Sequence, residues 1–207
     1  MVRKRHCLPR EQLAPFEVEA PKDGRRLDSK SIFQNNDPLE IEIGFGKGAM
    51  LLAMAERRAH HNFLGIEWDR GLQLYVASRL ARRGGLRNVR VAYGDANVWL
   101  RDALLPSRAY AIHVYFPDPW WKRRHHKRRL FTPAFVQLCW NTLEHQGLLA
   151  MATDVEEYFA IMEQSLRCVP GFVPVQDINT TIPIQTSFSN KAIKANRPIW
   201  KAIYQKS

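Results

Sequence analysis

The sequence has few cysteines and no long apolar run. Its 207 residues include only three cysteines, Cys7, Cys139 and Cys168, and no two of them form a Cys-x-x-Cys pair. An odd number of separated cysteines argues against a disulfide framework and favours a reducing compartment, so we expect a cytoplasmic protein. No run approaches the roughly 20 apolar residues that a membrane-spanning helix needs, and the basic start lacks the apolar core of a secretory signal.

Acidic residues are also scarce, because 20 Asp and Glu stand against 31 Lys and Arg, for a formal net charge of +11. Such an excess suggests a polyanionic partner or an acidic membrane surface, and it says nothing about fold. Hydrophobic residues make up 45% of the chain, which is enough for one main domain. We place that domain at 37–207. Residues 1–36 carry prolines and mixed charge with little periodicity, so we expect them to form a basic, loosely ordered arm.

From Leu39 onward, short apolar runs alternate with segments of helical spacing. The predicted strands are "LEIEIGF", "NFLGIEW", "NVRVAYG", "AYAIHVYF" and "QGLLAMAT", followed by "GFVPVQ" and "PIWKAIY". The predicted helices are "GAMLLAMAERR", "DRGLQLYVASRLARR", "ANVWLRDALL", "TPAFVQLCWNTL" and "VEEYFAIMEQSL", with Asp69 and Thr132 as N-caps. This alternation predicts an α/β fold with a mainly parallel sheet, and ligands of such folds bind at the carboxyl ends of the strands.

A carboxylate closes or follows each of the five main predicted strands. These carboxylates are Glu42, Glu67, Asp95, Asp118 and Asp154. Helix capping explains an Asp after a strand, as at Asp69, but it does not explain Glu42 and Glu67, which lie within or at the end of apolar strands. A carboxylate there needs partners. We therefore expect the acidic side chains to share a ligand site.

The glycine-rich turn at residues 44–48, Gly-x-Gly-x-Gly, follows the first main strand and suggests a nucleotide. Glu42 beside it would repel a pyrophosphate, so a cationic cofactor without phosphate fits better. S-adenosylmethionine carries a sulfonium, an ammonium and a ribose diol. Glu42 would then reach the ammonium, Glu67 the ribose hydroxyls and Asp95 the adenine amino group. Lys47 is expected to point to solvent.

Several segments together resemble the bacterial tRNA (guanine-N7-)-methyltransferases. They are "EIGFGKGAMLLAMA", "NFLGIE", "GDA", "FPDPWWKRRHHKRR" and "ATDVEEYF", in that family's order and within residues 39–166. The resemblance implies a Rossmann-like class I fold with a seven-stranded, mostly parallel sheet whose last strand is antiparallel. It further implies S-adenosylmethionine as methyl donor, S-adenosylhomocysteine as product, no metal, and tRNA as the partner. The acceptor would be N7 of a guanine in the variable region.

The resemblance also implies roles for individual residues. Asp118 matches the position treated as catalytic. The implied cofactor contacts are Glu42, Gly44, Gly46, Glu67, Trp68, Asp95, Ala96 and Asp118. The implied substrate contacts are Lys122, Arg124, His125, His126, Lys127, Arg128, Arg129, Asp154, Thr186 and Ser189. No membrane contact is expected, and a monomer and a homodimer remain open.

Ser189 departs from the family, which carries Glu in a Thr-x-x-Glu motif at this place. Serine is shorter and uncharged, so it cannot provide the same paired contact to a guanine edge. Either the contact is supplied elsewhere or the target has changed. A non-catalytic RNA-binding paralogue of the same fold is therefore an alternative function.

A second alternative is an RNA amino-group methyltransferase. Asp118-Pro119-Trp120 is similar to the Asp-Pro-Pro-aromatic loop of enzymes that methylate exocyclic nitrogens, although Trp120 replaces the second proline. A nicotinamide dehydrogenase is disfavoured by Glu42 and by the missing phosphate-binding spacing. Other side chains are predicted to be structural: His113 and Cys139 in the core, and at least one of Trp120 and Trp121 packed under the loop.

Overall fold

Parallel strands dominate the protein, as described by a computed structural model covering residues 8–82, 84–176 and 197–207. The strands in these ranges are β1 (Glu17–Val18), β2 (Leu39–Ile43), β3 (Asn62–Glu67), β4 (Val89–Tyr93), β5 (Ala109–Tyr115), β6 (Leu143–Thr153), β7 (Phe172–Pro174) and β8 (Trp200–Lys206). The helices are α1 (Arg10–Leu13), α2 (Ser29–Phe33), α3 (Ala49–Arg57), α4 (Arg70–Arg82), α5 (Ala96–Val98), α6 (Pro133–Thr142) and α7 (Glu156–Arg167). The chain divides into two units, Met1–Leu105 and Pro106–Ser207.

The first unit orders its strands β1-β4-β3-β2, and every pair is parallel. All residues of β2 and β3 are buried, as expected for parallel strands with both faces covered. Gly65 in β3 is required by close packing, because an added Cβ would lie 2.5 Å from the Phe45 side chain and 2.7 Å from that of Leu51. The glycine thus lets the turn after β2 and the start of α3 lie directly on β3.

The second unit orders its strands β5-β6-β8-β7. β5 and β6 are parallel, whereas β8 is antiparallel to both β6 and β7. The predicted α/β class, mostly parallel with an antiparallel last strand, is confirmed. The described residues contain eight strands where the sequence analysis expects seven, and the additional one is the two-residue β1.

The segment before β2 is docked on the first unit. Leu13 in α1 is 2% exposed, and β1 pairs with β4 through Glu17 and Val91. Leu27 donates its backbone N–H to Ala103 over 2.7 Å. These contacts cover the edge of β4, which would otherwise present unpaired backbone groups. The division at residue 36 stays a prediction, and residues 1–7 of the expected arm lie outside the described residues.

The helix predicted after β4 is broken in two. α5 ends after three residues and continues as a π-helix, Trp99–Ala103. Trp99 is 2% exposed, and its indole N–H donates to the Tyr93 carbonyl over 3.1 Å. A buried indole needs this partner, so we attribute the wider helical turn to the placement of Trp99.

Predicted structural side chains of the second unit are confirmed. The Thr132 hydroxyl caps α6 by accepting from the Phe135 backbone N–H at 3.1 Å, and Pro133 occupies the first turn. His113 is 1% exposed and its Nδ1 lies 2.9 Å from the Tyr115 hydroxyl. Cys139 is buried in α6. Within the described ranges, no helix combines the length and apolar character needed to cross a membrane.

Thr132→Ala should lower the free energy of unfolding by about 1 kcal/mol, because the first turn of α6 loses its side-chain acceptor. Thr132→Ser keeps the hydroxyl and is the matched control, which should lie within a few tenths of a kcal/mol of the wild type. Urea unfolding monitored by circular dichroism measures both. Equal destabilisation by Ala and Ser would contradict the capping role.

Candidate functional site

Three neighbouring parallel strands of the first unit carry acidic residues at their carboxyl ends. Glu42 lies in β2, Glu67 ends β3, and Asp95 follows β4. The order β4-β3-β2 brings these ends to one edge. Glu42 is 5% exposed and Glu67 is 8% exposed, while Asp95 is partly exposed. The expectation that the first three acids share an edge is thus met within this unit.

Glu67 joins two turns through its carboxylate. Its Oε2 accepts from the Gly46 backbone N–H at 2.8 Å, and its Oε1 accepts from the Asp69 backbone N–H at 2.9 Å. Each carboxylate oxygen can accept more than one hydrogen bond, so a pair of hydroxyl groups can still be bound. Trp68, between Glu67 and Asp69, is 72% exposed.

Glu42 is the buried acid with an unsatisfied atom. Its Oε2 is buried and has no hydrogen-bond partner among the described residues. Burial raises the pKa of Glu42 to about 8, and repulsion by Glu67 adds to the effect. A buried carboxylate with an unsatisfied oxygen is costly, so the side chain favours its protonated form until a cation or a further donor approaches. The site therefore fits a positively charged ligand group.

The glycine-rich turn beside these acids has the backbone that only glycine adopts readily. Gly44, Gly46 and Gly48 have φ values of +72°, +55° and +68°. A Cβ added at Gly44 or Gly46 would meet nothing within 4 Å, whereas one at Gly48 would lie 2.9 Å from Val76. The turn thus packs closely on α4 at one end and leaves space for a ligand at the other. Lys47 is exposed, as predicted.

Asp95 also has a structural task. Its Oδ1 caps α5 by accepting from the Asn97 backbone N–H at 2.8 Å and from the Asn97 side-chain amide at 3.0 Å. Capping by Asp69 is predicted from the sequence and is confirmed, because its Oδ1 accepts from the Leu72 backbone N–H at 3.0 Å. Capping at Asp95 was missed. Ala96, the next residue, is 8% exposed and begins α5.

In the second unit, Asp118 lies in a turn that follows β5. The carboxylate is exposed. The turn is bounded by two non-glycine residues with left-handed backbones, Phe116 at φ 53° and Trp120 at φ 48°. The Phe116 backbone N–H donates to the Ala152 carbonyl of β6 at 2.7 Å. Left-handed backbone is unfavourable for bulky residues, so surrounding contacts must hold this turn in place.

The basic segment, which we define as residues 122–129, contains a 3₁₀-helix, Arg123–Arg128. Exposed side chains in it are Lys122, Arg123, Arg124, Lys127 and Arg128, while His125, His126 and Arg129 are half-buried. Trp120 packs in the loop, with the Arg128 guanidinium 5.0 Å above its ring and His125 at its edge. Trp121 is 63% exposed. The prediction that one tryptophan packs is confirmed for Trp120.

Asp154 directly follows β6, the parallel neighbour of β5. Its Oδ2 lies 2.6 Å from Nη1 of Arg197, three residues before β8. Asp154 is thus an ion-pair partner, and the N-cap of α7 is Val155. No local sequence pattern signals a pair so far apart in the chain. Thr186 and Ser189 lie outside the described residues.

Comparison with solved structures defines the class. The aminoglycoside resistance methyltransferase NpmB1 superposes with a TM-score of 0.63 over 88% of this chain and 95% of that chain, at 14% identity. At this identity the likeness shows the fold alone, which is the Rossmann-like α/β fold of the methyltransferases. Residues 36–202 also match the family model described as "Putative methyltransferase".

Curated relatives narrow the class to one family. The tRNA (guanine-N(7)-)-methyltransferase of Pseudoalteromonas translucida is 33% identical over 187 residues, which span 87% of this chain and 77% of that protein. The protein of the same name from Bordetella pertussis is 35% identical over 193 residues, spanning 88% and 73%. The chain belongs to the tRNA (guanine-N(7)-)-methyltransferase family, and the resemblance noted in the sequence is confirmed.

Glu42→Gln should change how stability depends on pH. The pKa of Glu42 rises from 4.5 to about 8 on folding, so the folded chain holds this proton more tightly than the unfolded chain. Stability of the ligand-free wild type therefore falls as pH rises through that window. Glu42→Gln lacks this loss. Its free energy of unfolding relative to wild type should therefore increase by on the order of 3 kcal/mol from pH 5 to pH 8.5.

Urea unfolding at both pH values measures this change. Glu40→Gln is the matched control, because Glu40 is also buried in β2 but lies 2.8 Å from Nη1 of Arg58 and 2.7 Å from Nδ1 of His61. Removing one partner of a buried ion pair is destabilising, so Glu40→Gln should lower stability at both pH values. A pH-independent difference between Glu42→Gln and wild type would refute the raised pKa.

Proposed function

We propose that the protein transfers a methyl group from S-adenosylmethionine to N7 of a guanine in the variable region of tRNA. The observation that carries the proposal is the buried, unsatisfied Glu42 carboxyl beside the glycine-rich turn, since it favours a cationic ligand over a phosphate. Membership of the tRNA (guanine-N(7)-)-methyltransferase family supports the acceptor.

The first unit supplies the proposed cofactor contacts. Glu42 would hold the ammonium group, and Glu67 the ribose diol through the lone pairs that Gly46 and Asp69 leave unused. Asp95, whose Oδ1 caps α5, would accept from the adenine amino group. The further cofactor contacts proposed from the sequence resemblance are Gly44, Gly46, Trp68, Ala96 and Asp118. S-adenosylmethionine supplies a methyl group on a positively charged sulfur atom.

The second unit supplies the proposed tRNA contacts. Lys122, Arg124, Lys127 and Arg128 are exposed cations on one short segment, and His125 and His126 lie between them. Such cations bind phosphates and displace counterions. Trp121 is exposed and can stack on a base, which contributes about 1–3 kcal/mol per stacked base. Thr186 and Ser189 remain proposed substrate contacts from the sequence.

Orientation is the main task of the protein in this reaction. Guanine N7 carries an available lone pair, so no proton must leave before methyl transfer and no general base is required. Holding two reactants in line can supply roughly 7–11 kcal/mol of the barrier. The guanine ring becomes more cationic as the bond forms, so carboxylates at its N–H edge bind the transition state more strongly than the substrate.

Asp118 and Asp154 are the proposed carboxylates for this edge, with Asp118 the catalytic residue. They follow the neighbouring parallel strands β5 and β6. Asp154 binds Arg197 in the structure at 2.6 Å. A guanine that binds Asp154 must therefore share the carboxylate with Arg197 or displace the Arg197 guanidinium.

The function is tested with bulk tRNA that lacks N7-methylguanosine, incubated with protein and S-adenosylmethionine and then digested to nucleosides. We expect N7-methylguanosine as the product. A methyl group on an exocyclic nitrogen would favour the amino-group alternative. If RNA binding is intact but no S-adenosylmethionine binds at millimolar concentration, the non-catalytic alternative replaces the proposal.

Asp118→Ala should abolish turnover while leaving the tRNA Kd within a few-fold of wild type, because Asp118 precedes the basic segment and is not part of it. Single-turnover methylation and filter binding measure the two effects. The control is Asp102→Ala, which removes another exposed acid, one that pairs with Arg101. Near-wild-type turnover by Asp118→Ala would remove this residue from the catalytic role.

Cofactor binding should release about one proton at pH 7, because an ammonium beside Glu42 favours the carboxylate and the free side chain has a pKa of about 8. Calorimetry with S-adenosylhomocysteine in buffers of different ionisation enthalpy counts the protons. Glu42→Gln should bind more weakly and release none. A binding enthalpy independent of the buffer for the wild type would contradict this placement of the ammonium.

A further inference from the structure

Arg129 differs from the exposed cations of the basic segment because its guanidinium faces the protein. Its Nε donates to the Pro119 carbonyl at 2.8 Å. The guanidinium also lies over the Tyr158 ring, 5.5 Å from the centroid, and the residue is half-buried. Its nearest exposed neighbours in the chain, Lys127 and Arg128, lack a contact to the Pro119 carbonyl within the described structure.

The turn that carries Asp118 needs such a contact. Phe116 and Trp120, at its two ends, have left-handed backbones that non-glycine residues rarely adopt. Phe116 is fixed by the bond from its N–H to the Ala152 carbonyl. Arg129 fixes the other side through Pro119, the residue directly after Asp118. Asp118 thus lies between two backbone anchors.

Tyr158 gives the second anchor a rigid base. It belongs to α7 and its side chain is 1% exposed. The Arg129 guanidinium lies over the face of its ring. Arginine suits both contacts at once, because its planar guanidinium stacks on an aromatic face while its N–H groups donate in the same plane.

We propose that Arg129 is a positioning residue that holds the Asp118 turn against α7, and that it is not a phosphate contact of tRNA. This inference rests on the proposed function only for the role of Asp118. The anchoring of the turn by Arg129 and Tyr158 stands on the contacts within the second unit.

Arg129→Lys tests the proposal because it keeps the charge but loses the planar fork. We expect kcat at saturating tRNA to fall by about tenfold to a hundredfold, since small displacements of a reacting group cost that much. The tRNA Kd and its salt dependence should stay within about twofold of wild type, because no phosphate contact is lost. Lys127→Ala, the matched control, should raise the Kd and lower the salt slope by up to about one.

Hydrogen–deuterium exchange of the peptide covering residues 116–121 reports on the turn without turnover. Exchange in this peptide should accelerate in Arg129→Lys and not in Lys127→Ala, while a peptide covering α3 stays unchanged in both. Tyr158→Leu removes the ring and should reproduce the faster exchange, whereas Tyr158→Phe keeps the ring and should not.

The outcomes separate this inference from the proposed function. Arg129→Lys with wild-type kcat and unchanged exchange would overturn the positioning role. Arg129→Ala with wild-type kcat and a reduced salt slope would make Arg129 a phosphate contact instead. Absence of methylation by the wild type would refute the proposed function, and the exchange data would then decide the anchoring alone.

Discussion

The carboxylate of Glu67 is the interaction on which the ligand-binding edge of the first unit depends. It accepts one backbone N–H from the turn after β2 and one from the turn after β3, so it fixes the two turns relative to each other. Hydrogen bonds from backbone amides to a carboxylate are about twice as strong as neutral ones. The negative charge that joins these turns also acts on Glu42, whose pKa it raises together with burial. One side chain thus sets both the shape of the edge and its preference for a positive ligand.

The acids of the candidate ligand edge and the cations of the basic segment differ in depth as well as in sign. The acids Glu42 and Glu67 of the first unit are buried, whereas most cations of the basic segment are exposed. Buried interactions are screened by salt much less than exposed ones. A change of ionic strength should therefore act on the proposed RNA contacts much more than on the proposed cofactor contacts. The formal net charge of +11 counts buried acids and exposed cations together, so it does not show this difference in depth.

The sequence predicted most of the fold because apolar spacing and capping are local. The five main strands, the caps at Asp69 and Thr132, and the buried His113 and Cys139 are found where they were expected. The two-residue strand β1 was missed because its pairing with β4 has no periodic signal. The π-helix was missed because it depends on where the Trp99 indole finds its acceptor.

The candidate site shows the same limit. Residue types and spacing identified Glu42, Glu67 and Asp95, since acids at strand ends stand out in a basic chain. The left-handed backbones at Phe116 and Trp120, the Asp154–Arg197 pair and the contact of Arg129 with Pro119 could not be read in this way. Each depends on three-dimensional contacts across residues that carry no shared pattern. In a run of cationic residues such as the basic segment, the sequence does not show which side chain packs against the protein.

The position of β8 between β6 and β7 has a consequence for biosynthesis. β8 pairs with one edge of β6 and with one edge of β7. These two edges therefore lack a partner until residues 200–206 have been made. At the usual rate of translation the ribosome needs on the order of seconds for residues 175–199. During that interval the nascent second unit exposes unpaired strand edges, which are the features that recruit chaperones or lead to aggregation. The all-parallel strands of the first unit come earlier in the chain, so their pairing does not wait for residues 200–206.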